Sequence, residues 1–314
     1  MASGNKVTFG TFLCGCTVRD YAFPRGEYEE LIARAVKMIK DAEYVLIGAG
    51  AGMSTAAGAQ YGGKFFEEHF KEFQEAYGNG PEMRDMYSAG FYPFPDQEAR
   101  WGYWSRMALV AGADLDVTPL HKTLLRAFEG KKVFLLTTNV DNQFRKAGLP
   151  VEQIFATQGS YELIQCKKGC HPKTYDGVPM FREMDKARKN ARIPTEMVPK
   201  CPVCGGEMAM NLRADDTFVE DDAWHAAEKR FGEFMSEAVT KKLVLVELGV
   251  GFNTPGIIRF PFERLVHMHD NINLVRLNVG EGSIVPQCLA PRAVSIDSDM
   301  AKSITDIVKG VTSS

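Results

Sequence analysis

Tyr44-Val45-Leu46-Ile47-Gly48-Ala49-Gly50-Ala51-Gly52-Met53-Ser54-Thr55-Ala56-Ala57-Gly58 begins as an apolar run and then places glycine at alternate positions. The run, Tyr44 to Ile47, has the length and composition of a strand buried in a parallel sheet. The glycines permit a tight turn and let a ligand approach the backbone closely. Met53 to Ala57 are expected to open a helix, whose free N–H groups and positive dipole end favour an anion, typically phosphate. Strand, glycine turn and helix in this order are how nucleotide-binding folds begin. Two common versions do not fit. The dinucleotide fingerprint needs a glycine at 53, where this chain has methionine after Gly52. A Walker-type phosphate loop needs Gly-Lys-Ser/Thr, and none follows. The plainer alternative is a glycine-rich turn with no ligand.

The 314-residue chain has room for one large domain and a smaller one. Its 45% apolar and 25% charged residues are those of an ordinary globule. A formal charge of −3 provides no field for gripping nucleic-acid backbone. No apolar run approaches the roughly 20 residues of a membrane span, and Met1 to Thr11 lack the basic start and apolar core of a secretory signal. Seven cysteines, four of them in metal-like spacing, make a reducing, cytoplasmic setting the expectation. Nucleic acid and membrane are not expected partners.

Helical and strand-like segments alternate around the glycine turn. Glu27 to Lys40 carries Leu31, Ile32, Ala35, Val36 and Ile39 at helical spacing. Phe65, Phe66, Phe70, Phe73 and Tyr77 recur likewise, and Phe91, Tyr92, Phe94, Trp101, Tyr103 and Trp104 follow. Core packing is the first explanation of such stripes. Their density predicts a helical insertion over about 62–112 that roofs a pocket. Thr118-Pro119 read as N-cap and first residue of a helix to Phe128. Lys132–Thr137, Ile154–Thr157, Leu243–Val246 and Ile272–Leu277 are further strands. Asp221 or Asp222 caps a helix with Trp224, Ala227, Phe231, Phe234, Met235 and Ala238 on one face, and a last helix runs from near Asp299 to about Lys309. The alternation predicts an α/β fold with a doubly wound parallel sheet. After Thr137 come Thr138-Asn139-Val140-Asp141-Asn142-Gln143, polar groups at the edge where open α/β sheets bind ligands. The third strand is closed by Gln158-Gly159.

Cys166-x3-Cys170 and Cys201-x2-Cys204 form two knuckles. Four thiolates are the ligand set of a closed, tetrahedral, structural zinc site, which leaves no open position for catalysis. Gly169, Gly205 and Gly206 supply turns, and His171 is a further candidate that the set does not need. An iron–sulfur centre or reduced buried thiols are the alternatives. The intervening 171–200 segment reads as loop, carrying recognition rather than core. Cys14-Gly15-Cys16 is assigned no metal role.

Together these pieces resemble the sirtuin family of NAD-dependent enzymes. Gly48-Ala49-Gly50-Ala51-Gly52-Met53-Ser54 is similar to the family's first NAD-binding segment. Thr138-Asn139-Val140-Asp141 is similar to its Thr-Gln-Asn-Ile-Asp segment, whose Asn and Asp line the nicotinamide pocket. Pro119-Leu120-His121 matches a Pro-x-x-x-His region loosely, and His121 reads as a packing residue. The four cysteines match the zinc module in place and order. Gly249-Val250-Gly251 corresponds to the Gly-Thr-Ser turn and Asn278 to the adenosine-side Asn. The resemblance, spanning about 40–310, implies a Rossmann-like NAD-binding domain at 1–160 and 210–314 and a zinc module at 161–209. It implies NAD as substrate, held by Gly48, Ala49, Gly50, Gly52, Ser54, Asn139, Asp141, Gln158, Gly249, Val250 and Asn278, and structural zinc on Cys166, Cys170, Cys201 and Cys204.

The departures carry information too. Family deacylases have His-Gly after the third strand, with the histidine as general base, where this chain has Gln158-Gly159. A Pro-Asp-Phe-Arg-like segment is replaced by Ala59-Gln60-Tyr61-Gly62. An amide does not titrate near neutral pH, so Gln158 cannot take a proton, although it can orient a ribose hydroxyl or an acceptor. The pattern is similar to class M, macrodomain-linked sirtuins. That resemblance implies protein ADP-ribosyltransfer to a lipoylated carrier like the glycine-cleavage H protein, with a macrodomain hydrolase removing the product. Asn139 and Asp141 would then hold nicotinamide, and Gln158 the ribose or acceptor, while positive charge builds on the ribose carbon. The alternatives are a catalytically silent NAD-binding regulator and a deacylase working without a general base. A dehydrogenase ranks last, on glycine spacing and on the lack of an acid at a second strand end.

Overall fold

The computed structural model describes residues 20–313. Cys14-Gly15-Cys16 lies outside the described residues. Strand β1 (Tyr21–Ala22) precedes helix α1 (Tyr28–Asp41), which buries Leu31, Ala35 and Ile39 at helical spacing. Strand β2 (Tyr44–Ala49) is buried at every residue and turns through Gly50 into the short α2 (Ala51–Ala56). The aromatic stripes fold as α3 (Gly63–Tyr77), α4 (Met86–Gly90) and α5 (Gln97–Ala108), continued by a π-helical turn at Leu109–Ala113. Thr118 caps α6 (Pro119–Arg126), accepting from the His121 N–H, and β3 (Lys132–Thr137) leads into α7 (Gln143–Lys146). Then come β4 (Ile154–Ala156), β5 (Gly159–Cys166), β6 (Thr174–Asp176), α8 (Val178–Ala187) and β7 (Met208–Leu212). Asp221 caps α9 (Asp222–Ala238), which is followed by β8 (Leu243–Leu248), α10 (Arg259–Met268) and β9 (Ile272–Asn278). The chain closes with β10 (Val285–Pro286), β11 (Ala293–Asp297) and α11 (Met300–Thr312).

The main sheet is parallel with strand order β11-β9-β8-β2-β3-β4. From β2 the chain steps outward to β3 and β4, then returns to the other flank through β8, β9 and β11. The direction therefore reverses between β2 and β8, and ligands of such sheets bind outside that switch point. One face packs α1, α6 and α11 around Val45, Ile47, Val246 and Val275. The other packs α9 and α10 around Leu46, Phe134, Leu245 and Leu274. This is the predicted doubly wound sheet. No helix among the described residues is long and apolar enough to cross a membrane.

The expected loop at 171–200 is corrected by the structure. Residues 178–187 are helical, and Phe181 and Met184 are fully buried. Phe181 stacks at 6.3 Å on Trp101 of α5, and both belong to a core shared with Cys166 and Met208. Few apolar residues among many charges hid the helix, because its partner lies some 80 residues earlier in the chain. The segment is core as well as connection. The edge strand β11, the helix α10 and the antiparallel sheet β6-β5-β7 are likewise absent from the sequence expectation.

Gly159 opens β5 with φ +89°, and a Cβ there would lie 1.9 Å from the Asn211 carbonyl oxygen. Gly159→Ala is expected to cost at least about 2–4 kcal/mol, because neither the conformation nor the space accepts a side chain. Denaturant unfolding of the purified variant checks this. A midpoint equal to wild type would be incompatible with the packing described.

Candidate active site

Each glycine of the first turn has a packing reason of its own. A Cβ on Gly48 would lie 2.5 Å from Ile258 and 2.7 Å from Phe262, so glycine lets α10 settle onto the sheet. A Cβ on Gly50 or Gly52 would meet the Gly249 backbone at 2.8 or 2.7 Å. The Gly50 and Gly52 N–H groups donate to the carbonyls of Leu248 and Gly249, both at 3.0 Å. Gly249, at φ +59°, has no room for a Cβ against Gly52. The two glycine turns therefore interlock at the switch point.

The ends of β2 and β3 are stitched together by side chains. The Thr137 hydroxyl donates to the Ala49 carbonyl at 2.9 Å and accepts from the Asn139 N–H at 3.0 Å. The Asn139 amide donates to the Gly50 carbonyl at 3.0 Å and to Ser54 Oγ at 3.2 Å. Ser54 in turn donates to Asp141 Oδ2 at 2.5 Å, and Asp141 Oδ1 accepts the Gln143 N–H at 3.0 Å. Asp141 is 8% exposed. The structure thus brings Ser54, Asn139 and Asp141 into one hydrogen-bonded chain, although they come from two separate segments.

Two tyrosines that sequence reasoning missed stand near this carboxylate. Burial, and next the charge of Asp141, push the Tyr61 hydroxyl above its ordinary value, with Ser54 opposing. Burial, then Tyr61 and Asp141, push Tyr161 upward as well. Both stay neutral donors at physiological pH. Tyr61 stands within the segment that departs from the family pattern, which is the one signal that pointed to it. It also ties the insertion to the site, since its carbonyl accepts the Met86 N–H at 2.7 Å.

Gln158 follows β4 at the same carboxyl edge. Its carbonyl accepts the Arg213 N–H at 3.1 Å, and its side chain is half-buried. Arg213, also missed, donates from Nε to the Thr157 carbonyl at 3.2 Å and lies over the Phe218 ring. On the other side of the switch point the Asn278 amide donates to the Val250 carbonyl at 3.0 Å. Gly48, Ala49, Gly50, Gly52, Ser54, Asn139, Asp141, Gln158, Gly249, Val250 and Asn278 therefore all lie at the carboxyl ends of β2, β3, β4, β8 and β9.

His121 is fully buried, with Nδ1 2.6 Å from Thr118 Oγ1 and its ring edge-on to Phe144. Burial lowers its pKa from 6.5 to about 4, with the charge of Asp141 opposing, so the ring is neutral at physiological pH. Below pH 6.5 the unfolded chain gains a proton that the folded chain refuses until about pH 4. Stability is thus full above that window and falls as the pH drops through it, by up to about 3 kcal/mol from this residue. In His121→Gln the acid limb of stability between those values should flatten relative to wild type. Parallel denaturant titrations at pH 7 and pH 4.5 measure the difference.

The four Sγ atoms of Cys166, Cys170, Cys201 and Cys204 lie within 4.8 Å of one another. Cys166 and Cys204 are 3.8 Å apart and Cys170 and Cys201 3.6 Å. Zinc bound tetrahedrally at about 2.3 Å per sulfur needs sulfur separations of about 3.8 Å, so the set fits a structural zinc ion. His171 makes no fifth ligand. Its Nδ1 lies 3.1 Å from Cys170 Sγ, and Nε2 pairs with the Tyr175 hydroxyl at 2.8 Å, an orienting contact outside the ligand set.

No family model matches the chain. A protein ADP-ribosyltransferase of Staphylococcus aureus (strain Mu50 / ATCC 700699) is 32% identical over 272 residues, covering 86% of this chain and 85% of that one. A probable bifunctional ADP-ribose hydrolase/ADP-ribosyltransferase of Fusarium oxysporum f. sp. cubense is 33% identical over 272 residues. That match takes 81% of this chain and 43% of the fungal protein. Among solved structures, a complex of a Sir2 homolog with NAD has the same fold, with a TM-score of 0.53 at 17% identity over 94% of this chain and 98% of that one. So does a Sir2 enzyme whose structure addresses mechanism and regulation, with a TM-score of 0.54 at 18% identity over 90% of this chain and 98% of that one.

Proposed function

We propose, for a chain that belongs to the sirtuin family and is an NAD-dependent protein ADP-ribosyltransferase, that its acceptor is a lipoylated carrier protein resembling the glycine-cleavage H protein. Asn139 and Asp141 hold the nicotinamide end of NAD, and the interlocked turns around Gly50 and Gly249 face the pyrophosphate. As the bond from the ribose carbon to nicotinamide breaks, its electron pair leaves with the ring, which departs neutral. The buried anion of Asp141 faces the positive charge that builds on the ribose. An acceptor nucleophile bonds to that carbon and gives up its proton to solvent. Neither step calls for the histidine base of a deacylase.

The observation that carries this reading is the pairing of an intact Ser54–Asn139–Asp141 chain with a non-titrating amide, Gln158, at the third strand end. The fungal relative's name joins an ADP-ribose hydrolase to the transferase, which supports a partner hydrolase, by resemblance a macrodomain, that reverses the reaction. We place the reaction in the cytoplasm, where the cysteine quartet stays reduced.

Adenylate-labelled NAD mixed with carrier protein, lipoylated or not, tests the proposal. Label is expected on the lipoylated carrier with wild type, not on the bare carrier, and to be reduced at least about 100-fold in Asn139→Ala. A purified macrodomain hydrolase should strip the label. Equal labelling of both carriers would remove lipoylation from the proposal, and labelling of neither would remove the carrier.

A further inference from the structure

We propose that a buried quartet of charges, Arg259, Arg276, Glu247 and Glu263, positions the two loops that hold the adenosine half of NAD, with Arg259 as the positioning residue. This rests on the assignment of Asn278 to the adenosine side of NAD and of the neighbouring Gly249–Val250 turn to NAD binding. All four side chains are fully buried. Glu247 of β8 and Arg276 of β9 stand opposite each other in register, and Arg276 Nε lies 2.7 Å from Glu247. Arg276 also reaches Glu263 of α10 at 2.9 Å, and Arg259 lies 3.6 Å from Glu247 and 3.7 Å from Glu263. Gly48 pairs with Glu247 from the other side, and its missing side chain is what lets α10 bring Arg259 and Glu263 down to the sheet.

Taking four charges out of water costs several kcal/mol per ion, and apolar residues would join helix to sheet as well. What the quartet provides beyond cohesion is direction. Arg259 Nη1 donates to the carbonyls of Val250 at 3.1 Å and Gly282 at 3.0 Å, and Nη2 to that of Ile284 at 2.7 Å. Arg276 Nη1 donates to the Ile284 carbonyl too, at 2.6 Å. These carbonyls belong to the two loops on either side of Asn278, whose amide shares the Val250 carbonyl. One guanidinium therefore sets the spacing between the loops. Phe252 covers it, with its ring 4.1 Å away. The N-terminal strand completes the device: β1 pairs with β10, and the Tyr21 hydroxyl donates to Glu263 at 2.5 Å.

Titration calorimetry of the full chain with NAD and with ADP-ribose tests this, beside nicotinamide release at saturating NAD. Arg259→Lys keeps the charge but loses the fork that reaches three carbonyls. Its affinity for both ligands should fall about 10-fold or more, with maximal nicotinamide release within about twofold of wild type. Tyr21→Phe, a milder change, should weaken both ligands about threefold, and it decides the matter should Arg259→Lys not fold. Ile39→Ala, buried near the end of α1 just before β2 and so at the opposite end of the sheet from the loops, controls for lost stability alone. Unchanged affinity in the folded arginine variant, or an equal loss in Ile39→Ala, would overturn the proposal alone. A wild-type protein that binds NAD but not ADP-ribose would overturn the adenosine-side assignment beneath it.

Discussion

Asp141→Asn is expected to slow nicotinamide release at saturating NAD by about 10²–10³-fold while the protein stays folded. Asp141 is an acceptor at both oxygens, taking the Ser54 hydroxyl at one and the Gln143 N–H at the other. An asparagine can keep its oxygen on the Gln143 N–H only by turning its NH2 toward Ser54, whose hydroxyl must then accept and loses its own acceptor, so the Ser54–Asn139 link loosens. More important is the charge. In the proposed reaction the transition state gains positive charge on the ribose facing Asp141, which is 8% exposed, and an amide would offer it no opposing charge. Steady-state nicotinamide release and thermal unfolding on one preparation separate the two effects. A variant that melts lower yet turns over within about threefold of wild type would make Asp141 a cap of the strand-end turn and nothing more.

Removal of zinc should be the other large effect. Purified protein is expected to contain one zinc per chain, and stripping the metal under mild denaturant should abolish transfer, with recovery on adding zinc back. The thiolates come from the end of β5, the knuckle at Cys170 and the hairpin at Cys201–Gly206, where the Cys201 N–H donates to the Gly206 carbonyl at 2.8 Å. Cys166 and Cys201 are buried at the bottom of the small sheet's core. With no metal, thiols meet there with nothing to bind, and in modules of this size metal binding is a large part of folding free energy. The damage should reach the active site because β5 begins at Gly159, directly after Gln158. Cys166→Ser should reproduce it. Metal analysis beside the transfer assay provides the check, and full activity in zinc-free protein would contradict a structural role for the ion.

Local patterns in the sequence were enough for the frame of the molecule. An apolar run, alternate glycines and a following helix are near-neighbour signals, so β2, its turn and α2 could be read directly, with the helix starting two residues earlier than expected. Cysteine spacing is as direct, because each knuckle brings two thiolates together and a four-thiolate zinc site needs two such knuckles. Asn139 and Asp141 could be placed at the carboxyl edge of the sheet because polar residues directly after a buried parallel strand stand there.

What the sequence could not contain is the pairing of distant residues. Glu247 looks like a break in an apolar strand and Arg276 like a surface charge, until the register of β8 on β9 puts them face to face. Tyr61 and Tyr161 come close enough to feel the charge of Asp141 only because the segment before the helical insertion and the small sheet return to the same strand ends. The helix α8 shows itself only against Trp101. Periodicity reports which side of one element is apolar. Which charges are neutralised, and which hydroxyls stand near a buried carboxylate, depends on how elements cross, and that is settled by tertiary packing alone.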